Sequence, residues 1–184
     1  MMEKVYVFFA EGFEEIEGLT VVDILRRAGI ETVMVSIGND LQVTGSHGIQ
    51  IKADMLFDVE ALADGTYYVL PGGMPGTTNL GAHKGLCDLL VRAKAEGKKL
   101  AAICAAPMVL GELGLLEGEK AVCFPGREPH LKGAQVLYDQ VVISGNITTS
   151  RGMGTAIPFA LALLSQMQGE EAAQKMGKGI VFYT

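Results

Sequence analysis

The chain has 184 residues, nearly half of them apolar, and carries a formal charge of −6; this suits one domain with a core of its own and excludes disorder. Acidic residues outnumber basic ones and no basic stripe interrupts the sequence, so nucleic acid is not an expected partner. Three widely spaced cysteines form no CxxC pair, no apolar run is long enough to span a bilayer, and the first residues do not read as a secretory leader; no metal site, disulfide framework or membrane partner is expected, and the expected compartment is the reducing cytoplasm.

Residues 5–9 form a continuous apolar run and are predicted to be a buried strand. A turn at Glu11-Gly12-Phe13 leads into a helix running to about Ala28, with Glu14 and Glu15 in its first turn and Gly29 ending it. The inner stripe of that helix is Glu17, Val21, Ile24, Leu25 and Ala28. Glu17 is out of place there. Facing the sheet, its carboxyl would be desolvated and its pKa would rise; leaning outward, it would be an ordinary surface acid. Residues 30–37 read as a second strand, and 41–46 and 48–53 as a short two-stranded excursion with His47 at its tip, where a solvated surface histidine is the simpler reading. A short helix is predicted over 58–63 and a buried strand over 67–70, ending in Pro71-Gly72-Gly73-Met74-Pro75-Gly76. Glycines directly after a strand let the backbone approach a ligand and aim N–H groups at it, or simply make a tight turn.

Residues 82–97 are predicted to form an amphipathic helix with Leu86, Leu89, Leu90 and Ala93 inward, and Cys87 on it reads as packing. The run Leu100 to Ile103 is a short buried strand that passes straight into a helix reaching about Leu113, with Pro107 in the first turn. Cys104 lies at that joint. The helix start favours its thiolate; the alternative is a small buried hydrophobe. A short strand follows at 121–124, then a loop holding Arg127 and His130, strands at 135–138 and 141–144 around an Asp139-Gln140 turn, and a strand at 147–150. Arg151-Gly152-Met153-Gly154 makes a turn, Thr155 is a candidate cap for a helix over 156–167, and a last helix over 170–176 leaves an apolar tail, 180–182, to cover a sheet edge. Alternating apolar strands and helices imply an α/β fold with an open parallel sheet sandwiched between helices. Ligands in such sheets bind beyond the carboxyl ends of the strands, where Glu11-Gly12, Gly72-Gly73 and Cys104 all fall.

Together these residues resemble the ThiJ/PfpI superfamily (the class I glutamine amidotransferase-like fold), in the branch that includes the Parkinson-disease protein deglycase. The resemblance covers nearly the whole chain and rests on Glu14-Glu15-Ile16-Glu17, on 22–29, on Leu70-Pro71-Gly72-Gly73, on Ala101-Ala102-Ile103-Cys104-Ala105-Ala106-Pro107 and on 149–155. It implies a flavodoxin-like sandwich, a homodimer, and a nucleophile elbow at Cys104. It makes Glu17 the partner carboxyl of that sulfur, and Gly73 and Ala105, beside Gly72, the donors of N–H groups to an oxyanion. Arg27 and Arg151 fall at positions that lie near the pocket or dimer seam in relatives. His47 stands where some relatives carry an arginine, and His130 falls near the position of a pocket histidine, about two residues out of register. Ala105 stands where the protease-like branch has histidine, and no late histidine–glutamate pair of the amidotransferase kind follows Cys104. The expected function is a cofactor-free, cysteine-dependent enzyme acting on small reactive carbonyls, glyoxalase- or deglycase-like. The alternatives are an oxidative-stress protein that senses or protects through oxidation of Cys104, and an intracellular cysteine protease or amidase.

Overall fold

The computed structural model describes residues 3–182, so Met1 and Met2, which lead into the first strand, lie outside the described residues. Its elements in chain order are β1 (Lys4–Phe9), α1 (Glu15–Arg27), β2 (Glu31–Ser36), β3 (Gln42–Thr44), β4 (Gln50–Lys52), β5 (Met55–Leu56), β6 (Tyr67–Leu70), α2 (Gly76–Ala82), α3 (Lys84–Ala95), β7 (Lys99–Ile103), α4 (Pro107–Glu112), β8 (Lys120–Ala121), β9 (Gln135–Val136), β10 (Val141–Ser144), β11 (Ile147–Ser150), α5 (Ala156–Gln168) and α6 (Glu170–Gly179). Seven strands make the main sheet in the order β10-β11-β7-β6-β1-β2-β5. All its pairings are parallel except β10 with β11. The sheet is therefore flavodoxin-like and mostly parallel, with one antiparallel edge.

Strand residues alternate between two buried layers, as the two-residue period requires. Tyr6, Phe8, Tyr68, Leu70, Leu100 and Ala102 pack with Leu86, Leu89 and Leu90 of α3 on one face. Val5, Val7, Phe9, Val69, Ala101 and Ile103 pack with α1 and α5 on the other. β7, β6 and β1 are consecutive neighbours, so the chain that follows each of them emerges at one edge. From β1 the chain turns first to β2 on one side and later to β6 on the other. Their carboxyl ends thus flank a topological switch point, where a crevice opens.

Several expectations need correction. No helix forms over 58–63: Asp58 Oδ1 accepts from Glu60 N at 3.0 Å, and the Tyr6 and Tyr68 hydroxyls donate to the carbonyls of Ala61 and Leu62. The helix expected over 82–97 starts at Lys84, because extended His83 separates it from α2 and accepts from Leu86 N at 3.0 Å. Residues 135–136 and 141–144 do not pair with each other: β9 pairs with β8, and β10 with β11. Thr155 does not cap α5; its Oγ1 accepts from Gly152 N and donates to Gly152 O. In the tail, half-buried Ile180 packs against the core layer that holds α1 and α5, beside Ile24 and Ile157, and Val181 is exposed.

Candidate active site

Cys104 sits between the last residue of β7 and the start of α4, with Pro107 at the first helical position. Its φ is 65°, in the left-handed region that costs a non-glycine residue of order 1–3 kcal/mol. The joint holds it there. Cys104 N donates to Ser150 O at 2.9 Å, and Phe124 N donates to Cys104 O at 2.8 Å. The strained residue is thus tied on both sides to segments distant from it in sequence, the end of β11 and the bend at Phe124.

Glu17 enters from α1, in the first turn of a helix whose buried face also carries Val21, Ile24 and Leu25. The inward reading of Glu17 holds: it is 1% exposed. One carboxyl oxygen, Oε2, accepts from Gly72 N at 2.9 Å, while Oε1 is buried with no hydrogen-bond partner of standard geometry. The group beside the carboxyl is the Cys104 side chain. Gly72 must be glycine for the two to meet: a Cβ there would lie 2.6 Å from both Cys104 Cβ and Glu17 Oε2. At Gly73, with φ 90°, a Cβ would strike the backbone of Phe13 and Glu14. The Gly72-Gly73 pair is therefore wedged between the start of α1 and the Cys104 joint.

Burial pushes Glu17 up to about 7; the Cys104 side chain and the Gly72 N–H pull it back, and the charge of Glu14 adds a little. Burial also pushes Cys104 up to about 12, reinforced by the charge and hydrogen bond of Glu17, while the N–H groups of Ala105 and Gly73 pull it down. A thiol made acidic by the helix start alone is thus not what this environment produces; α4 has only six residues. The pair titrates as a unit. The upward push from Glu17 requires Glu17 to be charged, so it vanishes when the carboxyl holds its proton. The two amides then act on the sulfur unopposed by that charge.

The remaining candidates are spread more widely. Arg151 precedes Gly152 at the site, but its guanidinium donates to Tyr138 O at 3.1 Å and lies over the Tyr138 ring. Arg27 ends α1, ten residues or about 15 Å beyond Glu17 along the helix, and pairs with Asp23 at 2.6 Å. His47 sits against the first turn of α1, with its Nδ1 2.9 Å from Glu15 Oε2 and its N donating to Glu15 Oε1 at 2.8 Å. His130 pairs with Glu112 at the far end of α4. Each of the three histidines, His83 included, has its partners away from the sulfur. Among the described residues, Glu14, Glu15 and His47 are the group with metal-ligand spacing, their ligand atoms within 4.8 Å of one another. Glu15 is already satisfied within that group by His47.

Phe124, and none of the three histidines, stands beside the sulfur. A methyl group on Gly152 would lie 3.3 Å from Phe124 Cδ2 and 3.9 Å from Cys104 Sγ, so ring and sulfur flank the same glycine. Sequence reasoning placed Phe124 at a strand end and missed it. The available signal was the Phe-Pro-Gly punctuation at 124–126, which marks a turn and not another strand residue.

Residues 3–166 match the DJ-1/PfpI family. The chain is 36% identical over 183 residues to protein dj-1beta of Drosophila melanogaster, covering 98% of each. It is 30% identical over 170 residues to a Caenorhabditis elegans protein named a glutathione-independent glyoxalase, covering 91% of this chain and 90% of that one. Two Arabidopsis thaliana DJ-1 homologs are longer, and the chain spans 40% of one and 45% of the other. Among solved structures, oxidised Toxoplasma gondii DJ-1 superposes with a TM-score of 0.92 at 38% identity, over 97% of this chain and 98% of that one.

Proposed function

Since the chain belongs to the DJ-1/PfpI family, we propose that it is a cofactor-free enzyme that converts small 2-oxoaldehydes into 2-hydroxy acids through Cys104. The observation that carries this reading is the buried Glu17 carboxyl set against Cys104, with two backbone N–H groups on the same sulfur. A buried carboxylate oxygen without a partner is costly. A protonated Glu17 with its O–H toward the sulfur removes that cost and stabilises a thiolate.

The chemistry then follows from the layout. The Cys104 thiolate adds to the aldehyde carbon; a C–S bond forms and the carbonyl electron pair moves onto oxygen. The N–H groups of Gly73 and Ala105 hold that oxyanion. Glu17 supplies its proton to the adduct and, as carboxylate, carries a proton from the former aldehyde carbon to the neighbouring carbon. The product is a thioester of the 2-hydroxy acid, which water cleaves to return the thiol. Substrate and water together contain every atom of the product, so the sequence needs no oxidant. The similarity to a relative named a glyoxalase supports the substrate class.

Methylglyoxal turnover to lactate tests the reading. Cys104→Ser abolishes it, and Glu17→Gln lowers kcat/KM by roughly 100-fold or more, the scale of a lost general acid–base group. Absence of lactate with the pure protein would overturn it. A second reading, oxidation of Cys104 in a protective or sensing role, is favoured by the partial exposure of this thiol, beside amides able to hold a sulfinate. Mass spectrometry after mild peroxide separates it: oxygen added selectively at Cys104 supports it, and equal oxidation of all three cysteines opposes it. The three free thiols fit a reducing compartment such as the cytoplasm.

The working unit in this reading is a homodimer joined through α1. A groove of about 620 Å³ runs along that helix, lined by Ile16, Leu19, Ile24, Ile49, Ile157 and Ile180 and crossed by the Asp23–Arg27 pair. Ile16 and Ile49 are about half exposed there, as apolar residues awaiting a partner surface would be.

A further inference from the structure

Cys104 has two unlike sides. On one lie Gly72, Glu17 and the N–H groups of Gly73 and Ala105, which can polarise a carbonyl and carry a proton. On the other lie Gly152, which offers no side chain, and Phe124, which offers a ring and no proton. The ring is 48% exposed, an unusual state for a phenylalanine this close to a buried site. Its backbone is not free to drift from the thiol, because Phe124 N is bonded to Cys104 O and Phe124 O accepts from Arg127 N at 3.0 Å. A 2-oxoaldehyde with its aldehyde oxygen on the two amides and its ketone carbon within reach of Glu17 presents the substituent on that ketone carbon to the rest of the site, where the Phe124 ring stands.

We propose that Phe124 is a specificity-determining residue, forming an apolar wall that favours 2-oxoaldehydes with an aryl or bulky apolar substituent on the ketone carbon. This rests on the catalytic reading given above. Glycine at 152 lets the ring stand this close to the thiol, since a Cβ there would press on Phe124 Cδ2 at 3.3 Å, and aromatic contact with the ring supplies the preference. Met74 and Met153, next in sequence to Gly73 and Gly152, are exposed as well; their flexible thioethers suit a rim that adapts to apolar groups of varied shape.

The test compares phenylglyoxal with methylglyoxal in the full-length protein and in Phe124→Ala and Phe124→Leu. The ratio of the two kcat/KM values falls roughly 3- to 10-fold in Phe124→Ala, the worth of one aromatic contact, chiefly through KM for phenylglyoxal. Phe124→Leu, which keeps bulk and loses the ring, falls in between. A second arm does not depend on turnover: Cys104 is alkylated with N-phenylmaleimide or N-methylmaleimide, each rate is read at the Cys104 peptide and divided by that of free cysteine, and the phenyl-to-methyl ratio falls in the same order of variants. An unchanged maleimide ratio in both variants overturns the wall, whatever the turnover. A falling maleimide ratio in a protein that converts neither aldehyde retains the wall and rejects the glyoxalase reading.

Discussion

Glu15 and Glu17 stand two residues apart on one helix, both buried, and are driven in opposite directions. Burial raises each. At Glu15 the His47 ring and backbone N–H groups, including those of His47 and Ile49, outweigh it and hold the carboxyl near 2. At Glu17 burial wins, and the carboxyl sits at about 7. Glu15 therefore adds stability that is complete above its ordinary value of 4.5 and is lost as pH falls toward 2. Glu17 adds stability that is complete below 4.5 and is lost as pH rises through about 7. The imidazole of His47, raised first by its bond to Glu15, loses its contribution in the same upward direction. Urea unfolding at pH 5 and pH 7.5 reads the Glu17 limb: the wild type loses stability on the order of 3 kcal/mol between them, and Glu17→Gln loses much less. An equal fall in both proteins would place an ionised carboxylate at Glu17 throughout. The same pair governs the thiol. With apparent values near 7 and near 12, Cys104 and Glu17 share a single proton between those pH values. Alkylation of Cys104 accordingly rises through pH 7 in the wild type, and that step disappears in Glu17→Gln; a step that persists in the variant separates the two side chains.

At the scale of elements, the site depends on how closely α1 lies on the sheet. Gly18, next to Glu17, allows this approach: a Cβ there would come within 2.5 Å of Phe9 Cε1, on a ring already packed edge-on to Phe13. Alanine is the better helix former by about 1 kcal/mol. Overpacking a dense core costs about 1–3 kcal/mol, so Gly18→Ala is expected to destabilise on balance, and it lifts Glu17 off Gly72. Denaturant unfolding measures the first effect and the Cys104 alkylation profile the second; a variant more stable than wild type with an unchanged profile would mean that α1 has room to spare. What was legible in the sequence follows the same division. The inward turn of Glu17 could be counted from Val21, Ile24 and Leu25, because one helical period carries that information. The Cys104 joint could be read from a short apolar run meeting Pro107. Phe124 was legible only as a turn residue, from Phe-Pro-Gly; its place by the thiol depends on Gly152, 28 residues away, and no local period links them. Nor could α2 be read, in which glycine, threonine and asparagine, all weak helix formers, fill five of seven positions, and which forms where the Gly73 carbonyl accepts from Thr77 N at 2.8 Å. His130 was misplaced for a related reason: Gly111 admits the 128–130 turn against α4, and a Cβ there would strike His130 O at 2.1 Å, so the histidine is held at the wrong end of that helix.

For the whole molecule, α1 joins two surfaces that the sequence lists side by side. Ile16 and Glu17 are consecutive and so point about 100° apart around the helix; Glu17 goes into the crevice and Ile16 into the groove assigned above to a second copy of the chain. In a two-fold pair the same patch meets itself, so each substitution acts twice. Removing one buried isoleucine contact is worth about 1.5–3 kcal/mol, hence about twice that for the pair, and a carboxylate put in its place adds desolvation. Ile16→Glu should weaken self-association by roughly 100-fold or more, and Ile49→Glu likewise. Ile143→Glu is the control: that side chain is equally exposed, on the edge strand β10, outside the groove. Sedimentation equilibrium at micromolar concentration should give the wild type and Ile143→Glu at twice the 19.5 kDa of one chain, and Ile16→Glu at the mass of one. A monomeric wild type, or a dimer indifferent to Ile16→Glu, would move the interface off α1. In that case the exposed isoleucines would need another partner, and the first turn of α1 would position Glu17 without help from a neighbouring subunit.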